Sequence, residues 1–149
     1  MAIRLGLNAK LYRNTGTYAS PTWNEIANVK DVTLNLESGE ADVTTRANNG
    51  WRATAQTLKE ASIEFEMVWD TEDADFEAIK DAYLGNTTIE ILALDGPVSG
   101  TGSSGNQGLR ATCSVTAFSR SEPLEEALSV SVTLKPAYAV NAPEWHEVP

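Results

Sequence analysis

The sequence predicts a mainly β single domain, sandwich-like or barrel-like, with one α-helix and long loops. Three observations carry that prediction. Leu109–Pro136 reads as two alternating strands joined by an acidic turn that bears Pro123. Ala61–Trp69 alternates with the same period of two, whereas only Thr71–Leu84 switches to helical spacing. Residues two apart in a strand share a face, and residues three or four apart share one in a helix.

The N-terminal arm, residues 1–24, is rich in turn formers (Asn14, Gly16, Ser20, Pro21) and offers one strand near Arg4–Leu11. A second strand is expected over Ile26–Leu36, where Val32, Leu34 and Leu36 alternate. Residues 37–58 keep no firm period and are broken at Ser38-Gly39 and Asn48-Asn49-Gly50. Such a stretch is either a functional loop or a hairpin turning at Asn49-Gly50, a pair that readily takes up the positive φ of a tight turn. In Ala61–Trp69 the apolar face is Ile63, Phe65, Met67 and Trp69, opposite Ser62, Glu64, Glu66 and Val68.

The helix, residues 72–84, shows Phe76, Ile79 and Tyr83 on one side. Asp70 or Thr71 caps it, Glu72, Asp73 and Asp75 complement its dipole, and Gly85 supplies a left-handed stop before Asn86. Thr87–Leu94 returns to a strand, and residues 95–108 form a flexible Gly/Ser loop. In the first closing strand Leu109, Ala111, Cys113, Val115 and Ala117 oppose Arg110, Thr112, Ser114 and Thr116. In the second, Leu128, Val130, Val132 and Leu134 oppose Ser129, Ser131, Thr133 and Lys135. Residues 137–149 make an extended C-terminal arm. With no internal repeat and no second core, residues 1–149 read as one domain.

Composition narrows the function. A formal charge of −10 repels phosphate, which argues against specific nucleic-acid binding. The same charge suits a conduit that DNA passes without sticking, and equally suits plain solubility. No apolar run spans a membrane, and the first residues lack the apolar core of a secretory signal. Cys113, the single cysteine, lies on an apolar strand face and reads as a buried, inert thiol of a protein made in a reducing cytoplasm.

Catalytic readings find little support. Gly100–Gly105 spells GxGxxG, yet a strand follows it where a dinucleotide site needs a helix. The acidic run at Asp70 places Asp75 and Asp81 where a calcium loop needs Gly and Glu. His146 is the only histidine, too few for a zinc site with Cys113 and poorly placed for a nucleophile's partner. Glu64 and Glu66 share a strand face and read as solvated. The sequence therefore assigns no catalytic, cofactor-binding or metal-binding residue. Trp69 reads as core. Trp23, Trp51 and Trp145 fall in irregular segments, where a tryptophan either anchors an interface or covers its own core.

The run SRSEPLEEALSVSVTLKP, from Ser119 to Pro136, resembles the C-terminal hairpin of phage tail tube (major tail) proteins of siphovirus type. The segments Asp31–Leu36 and Glu40–Lys59 resemble the same family. The resemblance implies a β-sandwich with one flanking helix, six subunits per ring, and rings stacked into a hollow tube within a virion tail. It makes Arg46, Trp51 and Arg52 candidate contacts to a neighbouring subunit or ring. It makes Thr112, Ser114, Thr116, Ser129, Ser131 and Thr133 candidates for the lumen, although that face could instead look outward. Implied partners are further copies of the chain, tape measure, tail terminator and distal tail proteins, and DNA in passage. Two alternatives stay open: the Hcp-like inner tube of a secretion or injection machine, and a monomeric β-sandwich binding module.

Overall fold

Apolar side chains spaced two apart on successive strands converge on one core, and that convergence sets the architecture. The computed structural model describes residues 3–149. Its strands are β1 (Lys10–Asn14), β2 (Trp23–Glu25), β3 (Val29–Asp42), β4 (Thr54–Val68), β5 (Thr88–Leu94), β6 (Gln107–Ser121), β7 (Ser129–Pro136) and β8 (Glu144–Glu147). One helix, α1 (Ala74–Leu84), joins β4 to β5. All strands pair antiparallel in the order β2-β1-β5-β6-β7-β4-β3, with β8 on β6.

β6 changes partners midway. Residues Gly108–Ser114 pair with β5, while Cys113–Ser121 pair with β7. The sheet curls over itself in a sandwich-like manner, so Leu11 of β1, Ile91 of β5, Ala111 and Cys113 of β6, Val132 of β7 and Phe65 of β4 share one core. α1 lays Phe76, Ile79 and Ala82 onto it. Trp69 meets Phe76 edge-on, with ring centroids 4.8 Å apart, and Phe118 leans on both. A smaller cluster on the opposite face joins Tyr12, Leu92, Leu94 and Val148, so β5 is buried on both sides.

Several local expectations shift. The first strand lies at Lys10–Asn14, preceded by a 3-10 turn at Gly6–Asn8, not at Arg4–Leu11. β2 and β8 are strands where the sequence read loop and extended arm. Both are short, and short strands are held by their neighbours more than by their own pattern. The helix starts two residues late because Asp73, not Asp70 or Thr71, caps it by accepting from the Asp75 N–H. The left-handed residue after it is Asn86 (φ 54°), not Gly85 (φ −92°); asparagine tolerates that region better than most residues.

A register shift at Thr116 also moves Ala117 off the apolar face. Beyond it Phe118, paired with Val132, turns to the core, and Ala117 pairs with Thr133 on the outer face. A bulge adds one residue and so inverts the alternation on its far side.

Candidate assembly surface

β3 and β4 share the longest run of strand pairing, and only part of their length belongs to the domain. β4 pairs with β7 over Ile63–Val68 alone, yet its pairing with β3 continues outward to Asp42 and Thr54. Beyond Ala61 the two strands form an arm whose side chains are mostly exposed. Alternation gives this region no signal, because neither face of the arm is buried within the protomer.

The arm's tip is built, not slack. Thr44 and Ala53 bond across it: the Ala53 N–H donates to Thr44 Oγ1 at 2.9 Å, and the Val43 N–H donates to the Ala53 carbonyl at 3.0 Å. Thr45 caps a 3-10 turn at Arg46–Asn48, and Asn49 (φ 54°) and Gly50 (φ 84°) reverse the chain. Asp42 accepts from Thr44 at 2.9 Å, and the Thr44 hydroxyl and N–H hold its carboxyl below the ordinary value. Arg46, Trp51 and Arg52 come together here, all exposed, with Trp51 at 78%. Among the described residues neither arginine has an acidic partner.

The hydroxyl residues lie on the outward side of the sheet. Ser129, Ser131 and Thr133 pair with Ser121, Ser119 and Ala117 on β6, and with Val68, Glu66 and Glu64 on β4. Thr112 and Ser114 lie beside Glu90 and Lys135 further along the same face. Thr116 sits at the register shift and donates to the Thr133 carbonyl at 3.2 Å. The surface mixes hydroxyls with the carboxylates of Glu64 and Glu66 and the ammonium of Lys135, all well hydrated.

Arg110, read from sequence as part of that hydroxyl-rich face, is instead buried. It pairs with Glu90, donates to the Tyr18 carbonyl at 2.7 Å, and lies 3.9 Å from the Tyr18 ring and 5.0 Å from that of Trp23. Glu144 of β8 approaches it at 3.8 Å. One guanidinium thus gathers the N-terminal arm, β2, β5 and the C-terminal strand; alternation placed Arg110 correctly but could not show that the arm folds over it. Trp23 belongs to this cluster, whereas Trp145 is half exposed and donates to Gln107 at 2.9 Å.

The acidic run before α1 is spent on local structure. Asp73 caps, Asn28 donates to it at 3.1 Å, and buried Asp75 meets Arg13 at 2.8 Å and Asn24 at 3.0 Å. Among the described residues no group of three or more His, Cys, Asp or Glu lies close enough to hold a metal ion. Burial pushes the Cys113 thiol up to about 12, far from the thiolate a nucleophile needs. A groove of about 1040 Å³ runs between Leu7, Lys10, the start of β3 and Trp145. No described helix is long and apolar enough to cross a membrane.

The fold recurs among known assemblies. The chain is similar to a protein in the tail of an empty gene transfer agent particle with C6 symmetry: 16% identity, 92% of this chain and 96% of that one covered, TM-score 0.69. It is similar to the SPP1 tail tube protein at 18% identity, with 89% and 75% covered and a TM-score of 0.66. It is also similar to a protein of the anti-feeding prophage baseplate at 8% identity, with 99% and 98% covered and a TM-score of 0.63. No curated protein matches it by sequence. The family described as phage tail tube protein matches residues 9–141, which take in every strand from β1 to β7, the arm and α1. The chain belongs to the phage tail tube protein family.

Proposed function

We propose that six copies of this chain close into a ring and that rings stack into a hollow, passive conduit for DNA in a virion tail. Its role is structural, and no residue performs chemistry. The observation that carries this reading is the arm, whose paired strands extend beyond the domain with no partner in the protomer. Such an element needs a neighbour to bury it, and an unpaired edge strand such as β3 invites another chain. Arg46, Trp51 and Arg52 are the contact residues of that arm. Thr112, Ser114, Ser129, Ser131 and Thr133, with Glu64 and Glu66, line the lumen, and Thr116 braces it through the Thr133 carbonyl. The ends of such a tube meet terminator and distal tail proteins, and a tape measure protein occupies it during assembly.

The likeness to an anti-feeding prophage baseplate protein favours a second reading, the inner tube of an injection apparatus. Negative-stain electron microscopy across concentration, with light scattering alongside, tests both. Rings with a central hole or tubes of uniform diameter are expected. A monomer at all concentrations that binds a glycan or peptide through its loops would replace the tube with a binding module.

A further inference from the structure

The two ends of β4 lie beside loops of opposite charge. β4 starts at the arm's tip with Thr54 and ends at Val68, which pairs with Ser129 next to the β6–β7 turn. Fourteen steps of strand separate these poles by roughly 45 Å. Between Val43 and Ala53 the tip carries Arg46 and Arg52 and no carboxylate, although the protein's net charge is −10; Asp42, at the tip's edge, accepts from the Thr44 N–H, and Glu40 lies further back, paired with Gln56. At the other pole the turn from Ser121 to Leu128 carries Glu122, Glu125 and Glu126 and no cation.

Each pole also carries an unpartnered apolar side chain. Trp51 is 78% exposed at the basic tip, and Leu124 is 100% exposed in the acidic turn. Glu125 and Glu126 make no ion pair among the described residues, and Glu122 meets only the exposed Arg120, at 3.0 Å. Pro123 fixes the backbone beside Leu124, which reduces the ordering cost of a contact there.

We propose that the arm's tip docks on the β6–β7 turn of a second copy, Trp51 against Leu124 and the two arginines among the three glutamates. The contact rests on the tube reading and specifies which surface receives the arm. It is heterologous, since tip and turn are different patches on one chain, so it propagates from copy to copy without closing a dimer. Opposite charges at the poles speed encounter and disfavour tip-to-tip and turn-to-turn pairing.

The test uses the full chain with Ala47→Cys at the tip and Ala127→Cys in the turn, both exposed in the protomer. Buried Cys113 is left in place. A short bismaleimide is expected to link the double variant into a ladder, and a mixture of the two single variants into heterodimers in excess of homodimers. Arg46→Glu with Arg52→Glu cuts the yield at least about tenfold, as desolvated charge pairs across interfaces do. Glu122→Lys, Glu125→Lys and Glu126→Lys on the mating chain restore it. Rings or tubes in the microscope without the ladder overturn this contact and leave the tube standing. A monomer with neither ladder nor tubes overturns both.

Discussion

Arg110 and Glu90 form an ion pair on the outer side of adjacent strands, with side chains only 8% and 12% exposed. Removing one partner strands the other charge under Tyr18 and Trp23. Arg110→Ala is therefore expected to cost about 3–5 kcal/mol by urea denaturation. Replacing both, Glu90→Leu with Arg110→Met, should recover most of that loss, because no bare charge remains. A single variant within about 0.5 kcal/mol of the parent would show the pair to be solvated.

Gly108 lies where β5 and β6 approach too closely for any side chain. A β-carbon there would run into the Ala93 carbonyl, which is backbone and cannot swing aside. Gly108→Ala should lower stability by at least about 2 kcal/mol, since the strands must separate to admit one methyl. Thermal unfolding measures the loss, and an unchanged midpoint would refute the close approach.

Cys113 links stability to alkaline pH. Its thiol is raised from 9.0 to about 12 by burial, so the folded chain keeps a proton that the unfolded chain gives up. This contribution is complete below pH 9 and is lost as pH climbs toward 12. The slope is about 1.4 kcal/mol per pH unit within that window. Comparing Cys113→Val with the parent isolates it from tyrosine and lysine titration. The parent thiol should also resist iodoacetamide at pH 8 while folded and react once unfolded.

Shortening the arm separates folding from assembly. Joining Ser38 to Lys59 through Asn-Gly removes the tip but leaves every pair between β4 and β7. The shortened chain should unfold within about 1 kcal/mol of the parent, because exposed strands bury little apolar surface. It should also scatter light as a monomer where the parent forms rings or tubes. Assembly at parental concentrations would show that the arm is dispensable.

Salt should weaken the contact between copies more than it weakens the fold. Arg46, Arg52, Glu125 and Glu126 are exposed, and the screening length falls from about 10 Å at 0.1 M to about 3 Å at 1 M. Cross-linking yield between copies should therefore fall with added sodium chloride while the circular dichroism spectrum stays fixed.

The sequence was most readable where one face of an element is buried and the other wet. Ile63, Phe65 and Met67 on β4, Val130, Val132 and Leu134 on β7, and Phe76 with Ile79 on α1 all followed their periods into the core. Legibility failed where that contrast vanished. The outer half of β4 has both faces exposed, so Thr54–Glu60 carried no alternation. β2 and β8 are too short to repeat, whereas β5, buried on both faces, was still read to within one residue as Thr87–Leu94. Thr116 broke the register within one strand, which no count of apolar residues predicts. Arg110 was visible as an out-facing residue, but the loop that seals it comes from 92 residues upstream. Arg46, Trp51 and Arg52 were named through the family resemblance; that they lie at the end of a paired arm is a fact of three dimensions.

A polymer built by the proposed tip-to-turn contact would have two unlike termini. At one terminus the last ring would leave tryptophan and arginine uncovered, and at the other leucine and glutamate. On that contact, a protein that ends the tube at the first would present acid around an apolar socket, and one that starts it at the second would present base around an apolar plug. Direction of growth and choice of cap would then both be written into the fourteen steps of a single strand.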